Sequence, residues 1–212
     1  FVSAVTHELR TPLTTFRMYS EMLADGMVPL EKQQQYANTL KVQADRLSHL
    51  VENVLQFAQL ERGPARLANE HVGIGELLER IRSRLEERAT ASNMQLEMDV
   101  AEALVEYSLA TQPAAIEQIL FNLVDNACKY AQASADNRIV VSVGQAAAGI
   151  QFQVRDFGPG ISPVDRKRLF QPFQQSKIAT DNSVPGVGLG LALCYRMART
   201  IGGRLLEREI SD

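Results

Sequence analysis

The sequence contains few of the residues that characterise several classes of protein. Its 212 residues include no tryptophan, 2 cysteines and 3 histidines. So few cysteines exclude a disulfide-rich scaffold. Because Cys128 and Cys194 sit in apolar helical patterns without metal-ligand spacing, we predict two reduced, buried thiols of a cytosolic domain. The formal net charge of -3 gives no reason to expect nucleic acid as a partner. No run approaches the roughly 18 consecutive apolar residues of a membrane span.

Helical periodicity dominates the first part of the chain. It has already begun at Phe1, so we expect a piece of a longer protein whose N-terminal part is missing. Apolar residues follow steps of three and four as far as Leu23, "ADGMVP" breaks the pattern, and the rhythm returns from Ala37 to Ala58. Two helices of a hairpin cannot close a core on both sides, which predicts a homodimeric four-helix bundle. Alternatively, the apolar stripe packs on the rest of the same chain.

Helical and strand patterns are mixed after the stretch "RGPARLANEHVGIG", which we interpret as a linker. Helical periodicity is found in "ELLERIRSRLEERA", "PAAIEQILFNLVDNACKYA" and "GLGLALCYRMARTIGG". Strands are predicted for "MQLEMDV", "LVEYSLA", "RIVVSVGQ", "GIQFQVRD" and "RLLEREI". The mixture predicts an α+β sandwich in which helices cover one sheet face. The predicted boundaries are 1–62 for the helical hairpin, 63–70 for the linker and 71–212 for the second domain.

The first candidate binding cluster is "NLVDNACKY" in the middle helix. Asn122 and Asn126 lie one turn apart and share a face, which Lys129 and Tyr130 continue. Amide oxygens can hold a hard cation and a lysine can meet phosphate, so this helix edge suits a magnesium triphosphate. Taken alone, a solvated polar face explains the pattern equally well.

Two glycine-rich clusters follow along the chain. In "RDFGPGI", Asp156 at a strand end can accept a hydrogen bond from an exocyclic amine such as that of adenine; a simple Asp/Gly turn is the alternative. In "PGVGLGLAL", glycines open a helix whose N-terminal amides suit phosphate. Before it, "QQSKIATDNSV" is typical of a mobile lid, with Phe170 and Phe173 anchoring its base. The glycines of the two clusters are Gly158, Gly160, Gly186, Gly188 and Gly190.

A His-Glu pair followed by a proline stands in the first helix, in "HELRTP". His7 falls at the heptad position farthest from the apolar seam, Thr11 shares its face, and Glu8 lies beside it. Imidazole titrates near neutral pH, so a carboxylate on one ring nitrogen leaves the other as a nucleophile. Pro12 removes the usual partner of the Glu8 carbonyl, which predicts a bend or a loosened turn beside His7.

Taken together and in this order, the clusters resemble the catalytic core of two-component sensor histidine kinases. "HELRTP" is similar to the H box of that family, "NLVDNACKY" to the N box, "DFGPG" and "GVGLGL" to the two glycine boxes, and "LFQPF" to the F box. The resemblance implies a dimerisation and histidine-phosphotransfer hairpin followed by a Bergerat-type ATP-binding α/β sandwich. It implies the cytoplasmic part of a membrane-anchored bacterial sensor, and it leaves open whether phosphorylation occurs within or between protomers.

The resemblance also implies the reaction and its residues. The protein would use Mg-ATP to phosphorylate itself and pass the phosphoryl group to an aspartate in the receiver domain of a response regulator. Phosphatase activity toward that regulator stays open. His7 would be the phosphoacceptor, Glu8 its acid/base partner, and Thr11 would position water for dephosphorylation of the regulator.

The resemblance implies ligand contacts in the second domain as well. Asn126 would be the main Mg²⁺ ligand, with Asn122 alongside. Lys129 and Tyr130 would touch phosphate or ribose, and Asp156 would read the adenine amine. The five glycines would shape the pocket and its lid.

Two features depart from the family pattern. "LATQPAA" offers no acidic residue before the N-box helix, and the chain stops at Asp212 where members usually continue, so the C-terminal strands are expected to be cut short. Two other function classes compete with the kinase. A catalytically silent dimeric scaffold would lack a catalytic residue, and none is missing; an ATPase of the gyrase and chaperone superfamily would need no H box.

Overall fold

The first part of the chain is a helical hairpin. The computed structural model describes residues 2–61, 69–131, 134–147, 149–174 and 188–208. Helix α1 (Val2–Ala24) and helix α2 (Leu30–Glu61) pack against each other, as the apolar periodicity predicts. The rings of Tyr19 and Tyr36 lie 4.7 Å apart across the turn. Helix α1 continues through Pro12, whose side chain is fully buried.

Strands and helices are mixed in the second part. The helices are α3 (Ile74–Thr90), α4 (Pro113–Tyr130), the short α5 (Pro163–Arg166) and α6 (Gly190–Thr200). The strands are β1 (Glu70–Gly73), β2 (Gln95–Val100), β3 (Ser108–Thr111), β4 (Arg138–Ala146) and β5 (Gly149–Asp156). Pro113 occupies the first turn of α4, where a missing backbone N–H costs nothing.

The main sheet is mixed, with strand order β2-β4-β5. Strand β2 runs parallel to β4, and β5 returns antiparallel to β4 through a hairpin closed by Ala146 and Gly149. Gly149 has a φ of +135°, which favours glycine at the turn. Strands β1 and β3 form a separate antiparallel pair.

Helices α3 and α4 cover one face of the main sheet. Ile139, Val141 and Val143 alternate along β4 with exposures of 0 to 3%, so one side of this strand faces the core. They join one apolar cluster with the buried faces of α3 and α4, including Leu85 and Leu120. The prediction of a helical hairpin followed by a sheet with helices on one face is therefore confirmed.

Three local predictions were wrong. Glu70–Gly73, taken for part of the linker stretch, forms β1, a strand too short to show alternation. "LVEYSLA" forms a strand only from Ser108, because Leu104 is buried in a 3₁₀ turn whose backbone bonds close locally. No strand is formed over 204–208, where Leu205 packs near α6 and Glu207 pairs with Arg166 at 2.8 Å.

The apolar stripe of the hairpin is divided between two surfaces. Leu50 and Phe57 of α2 are 4 and 5% exposed and pack with Leu189 and Leu193 at the start of α6. Other apolar side chains of the hairpin are more than 45% exposed: Leu13, Met18, Val51 and Leu55. Part of the stripe thus packs on the same chain. Within the described ranges, no helix has the length and apolar character of a membrane span.

The division between core and surface predicts how two leucine substitutions differ. Leu120 is 1% exposed, so Leu120→Ala should lower the free energy of unfolding by about 2–5 kcal/mol. Leu206 is 68% exposed, so the matched Leu206→Ala change should cost less than about 0.5 kcal/mol. Urea unfolding measures both, and equal losses would contradict the placement of the core.

Candidate functional site

One cavity is lined by the polar and glycine-rich clusters of the second part of the chain. It has a volume of about 1670 Å³ and lies between α4, the loop after β5 and the start of α6, with residues of α2 also in its wall. The predicted site residues that line this cavity are Asn122, Asn126, Lys129, Tyr130, Asp156, Gly158, Gly160, Gly188 and Gly190. Gly186 and most of the predicted lid lie outside the described residues.

The polar edge of α4 forms one wall of this cavity. Asn122 is 3% exposed, and its Oδ1 accepts a hydrogen bond from Gln118 Nε2 at 3.3 Å. The Nδ2 atom of Asn126 is buried and, in the part of the chain that the structure describes, has no hydrogen-bond partner. A Cβ placed on Gly190 would come 3.9 Å from both amide atoms of Asn126, so this amide faces the beginning of α6. A buried amide without a partner at a cavity wall is an expected feature of a ligand site.

The Lys129 ammonium forms an ion pair with Asp125 at the cavity wall. Its Nζ lies 2.5 Å from Asp125 Oδ2, and Arg88 Nε of α3 lies 2.7 Å from Asp125 Oδ1. Burial acts to raise the pKa of Asp125, but the charges and hydrogen bonds of Lys129 and Arg88 outweigh it, and the pKa is lowered. Burial, and then the Asp125 charge, raise the pKa of Tyr130.

The end of β5 forms a second wall. Asp156 Oδ1 accepts a hydrogen bond from the Gly158 backbone N–H at 2.9 Å. A Cβ on Gly158 would lie 2.8 Å from that oxygen and 3.2 Å from Ala131 Cβ, so a larger residue there would crowd both the carboxylate and the end of α4. A carboxylate has further acceptor capacity, and Asp156 is exposed, so it can also bind a donor group of a ligand.

A backbone clasp forms the third wall, at the start of α6. The Phe173 N–H donates to the Gly188 carbonyl at 2.9 Å, and both residues have positive φ, +64° and +66°. Phe173 lies edge-on to Phe57 at 6.2 Å, and Phe170, which also lines the cavity, stacks on Tyr195 at 5.3 Å, so both F-box rings make packing contacts. The clasp therefore joins Phe173 and Gly188, which lie on either side of residues 175–187 in the sequence.

The predicted phosphoacceptor and its neighbours lie on α1. His7, Glu8 and Thr11 are all within the helix, and Thr11 is exposed. The side chains of His7 and Glu8 lie outside the described part of the structure. Leu9, two residues from His7, packs at the margin of the cluster formed by Leu50, Phe57, Leu189 and Leu193. The helix that carries His7 therefore borders the apolar cluster in which α2 packs on the start of α6.

The cysteines are not part of the site. Cys128 and Cys194 are free and buried, which confirms the prediction of two reduced thiols. Burial raises the pKa of Cys194 to about 12, so its thiol is unreactive at neutral pH. Among the described side chains, no three His, Cys, Asp or Glu residues form a group that could hold a metal ion.

Two polar residues of the site have no assigned role in the sequence patterns. Asp125 stands inside "NLVDNACKY", four residues before Lys129, and that spacing could have indicated the ion pair. Arg88 lies 37 residues from Asp125, and nothing near it in the sequence indicates the contact.

Two family models match the chain. The model described as "Histidine kinase-, DNA gyrase B-, and HSP90-like ATPase" matches residues 111–210, and the "His Kinase A (phospho-acceptor) domain" model matches residues 1–63. Together they cover the hairpin and most of the second part of the chain.

Curated relatives are similar over nearly the whole chain. The circadian input-output histidine kinase CikA of Synechococcus elongatus is 31% identical over 207 residues, which are 97% of this chain and 27% of that protein. The signal transduction histidine-protein kinase BarA of Escherichia coli is 27% identical over 206 residues, 96% of this chain and 22% of that protein. The chain spans about a quarter of the length of these relatives.

Solved structures share the arrangement. The histidine kinase AdeS of Acinetobacter baumannii superposes with a TM-score of 0.67 at 26% identity, covering 92% of this chain and 86% of that chain. Full-length ShkA in complex with AMPPNP has a TM-score of 0.63 at 27% identity, covering 94% of this chain and 40% of that chain.

The backbone clasp predicts a contrast between two glycines. A Cβ on Gly188 would lie 2.5 Å from the Gln174 carbonyl oxygen, on a residue with φ +66°, so Gly188→Ala should destabilise the protein by about 1–3 kcal/mol. Gly144 in β4 has open space around it, and Gly144→Ala should leave stability within about 0.5 kcal/mol. Thermal unfolding of both variants tests this. A Gly188→Ala protein as stable as wild type would contradict the close approach at the clasp.

Proposed function

The chain belongs to the sensor histidine kinases of two-component systems, and from this premise we propose that it binds Mg-ATP in the cavity and phosphorylates His7. The phosphoryl group then passes to an aspartate in the receiver domain of a response regulator. One observation carries the proposal: the amide edge of α4, the Asp156 loop and the glycine-opened start of α6 line a single cavity. A similar structure was determined in complex with AMPPNP, an ATP analogue, which supports ATP as the ligand.

The cavity residues fit a magnesium nucleotide. Asp156 accepts a hydrogen bond from the adenine amine, beside the close backbone approach that Gly158 permits. The Asn126 amide would offer its oxygen to Mg²⁺, with Asn122 alongside. The buried Asn126 Nδ2, which has no partner among the described residues, would be available to a phosphate oxygen. Mg²⁺ usually keeps several waters and substrate phosphates as ligands, so it needs few ligands from the protein. When bound, Mg²⁺ neutralises charge on the phosphates.

The protein residues place the reacting groups. Lys129 and the N-terminal amides of α6 bind phosphate oxygens, and Tyr130 contacts ribose or phosphate at the cavity edge. An imidazole nitrogen of His7 attacks the γ-phosphorus, a P–N bond forms, and the bond to ADP breaks. Glu8 takes up the proton from the other ring nitrogen. Catalysis is then mainly in-line positioning of the γ-phosphate and neutralisation of its charge.

Movement between the two parts of the chain is required by this reaction. We propose that residues 1–62 and 71–212 are two domains that reorient about the linker 63–70. Leu50 and Phe57 of α2 pack on Leu189 and Leu193, and Arg196 lies 4.5 Å from the Phe57 ring, so reorientation would break an apolar and cation–π contact. Domain motion of this kind sets the rate in many enzymes.

A homodimer accounts for the apolar surface that remains on the hairpin. Leu13 and Leu55 are each 56% exposed, and Met18 and Val51 are about half-exposed. Pairing of two hairpins in a four-helix bundle would remove these side chains from water. The receiver domain would dock on the exposed face around His7, where Thr11 could position water for phosphatase activity. By the same proposal, the chain is the cytoplasmic part of a membrane-anchored bacterial sensor.

Labelling with radioactive ATP tests the proposal. The wild-type chain should give an acid-labile, alkali-stable phosphoprotein, as phosphohistidine does, and His7→Gln should give none. His71→Gln is the matched control, because His71 is exposed in β1, and it should label like wild type.

Full labelling of His7→Gln would disprove the acceptor assignment. A wild-type chain that binds Mg-ATP but never becomes labelled would instead indicate a silent nucleotide-binding scaffold.

A further inference from the structure

Asp125 has no role in the reaction outlined above, yet it is a buried charge at the cavity. Its side chain is 9% exposed, and it lines the same cavity as Asn126 and Asp156. Burying a carboxylate is costly unless charged or hydrogen-bonding partners compensate. The partners of Asp125 therefore indicate what the charge does.

Both carboxylate oxygens bind cations, and the two cations come from different helices. Oδ1 accepts a hydrogen bond from Arg88 Nε of α3 at 2.7 Å, and Oδ2 lies 2.5 Å from Lys129 Nζ, one turn further along α4. Arg88 is itself held, because it also donates to the Ser92 hydroxyl. A chain of contacts therefore links Arg88 of α3, through the Asp125 carboxylate, to the Lys129 ammonium.

The ammonium at the end of this arrangement still faces the cavity. The Lys129 side chain is 23% exposed and lines the cavity wall. An ammonium has three N–H donors, so a bond to Asp125 leaves donors for phosphate. Two cations and one carboxylate also leave a formal charge of +1, which favours an anionic ligand.

Fixing a lysine side chain in one orientation costs conformational entropy, and the ion pair with Asp125 reduces that cost. A free lysine side chain loses rotamer entropy when it is fixed on a ligand. A partner that is itself anchored fixes the ammonium before the ligand arrives, which is preorganisation. Asparagine at this position would have the same shape, but it would present an N–H donor to one of the two cations and leave them to repel each other.

We propose that Asp125, anchored by Arg88, is a positioning residue that holds the Lys129 ammonium where the nucleotide phosphates bind. The inference rests on the proposed function, because Lys129 can contact phosphate only if the cavity binds a nucleotide. It assigns Asp125 to the phosphate end of the ligand and not to the adenine end. Its effect on binding must therefore depend on phosphate and on Lys129.

A double-mutant cycle with two ligands tests the inference. The dissociation constants of Mg-ADP and adenosine are measured by calorimetry or competition for wild type, Asp125→Asn, Lys129→Met and the double variant. Asp125→Asn should weaken Mg-ADP binding about tenfold and leave adenosine binding unchanged. In the Lys129→Met background, Asp125→Asn should have little further effect on Mg-ADP. Glu117→Gln, the same charge change on α4 outside the cavity lining, should bind both ligands like wild type.

Three results would overturn the inference. They are equal weakening of Mg-ADP and adenosine, an undiminished effect of Asp125→Asn in the Lys129→Met background, and tighter Mg-ADP binding by Asp125→Asn. If Asp125→Asn does not fold, Asp125→Glu replaces it. Its extra methylene moves the carboxylate, so a loss of about threefold, limited to Mg-ADP, is expected, and no such loss overturns the inference. A folded wild type that binds no Mg-ADP would refute the proposed function instead.

Discussion

Helix α4 has an apolar face that packs in the core and a polar edge that lines the cavity. The rest of the site depends on the rotation of α4 about its own axis, which decides where each face points. Ile116, Leu120 and Val124 face the core with α3 and the sheet. Because an α-helix has 3.6 residues per turn, the burial of this face fixes the direction of the remaining side chains. Asn126 and Lys129 are thereby placed at the cavity wall. The same packing energy that forms the core therefore positions the polar edge.

The buried charge of Asp125 also restricts how α4 can rotate about its axis. Asp125 is buried at the cavity wall, and its two ion pairs connect α4 to Arg88 of α3 and fix Lys129 of the same helix. A carboxylate with anchored partners has fewer alternative arrangements than an apolar contact would have. Glycines then let the other walls approach: Gly158 lies against Asp156 and Ala131, and Gly188 against Gln174. A flat base and a phosphate chain require this kind of close approach to the backbone.

Much of the fold could be predicted from local sequence patterns, since those patterns reflect local burial. Helix α4 and strand β4 each have a period that matches one buried face, and the apolar period of α1 and α2 matches their packing into a hairpin. The site clusters could also be predicted, because each is contiguous in sequence. Strand β1 could not, since 4 residues are too few to show a period. Contacts between distant segments, such as Arg88 with Asp125 and Phe57 with Phe173, arise from tertiary packing and have no local signal.

The central claim is that the cavity binds Mg-ATP with Asp156 reading the adenine amine. The most direct measurement is calorimetric titration of the wild-type chain and Asp156→Asn with Mg-ATP and with Mg-GTP, whose base has a carbonyl where adenine has the amine. The account predicts one Mg-ATP per wild-type chain, at least about tenfold tighter than Mg-GTP, and loss of this preference in Asp156→Asn. Equal binding of the two nucleotides by the wild type, or an unchanged preference in Asp156→Asn, would contradict it.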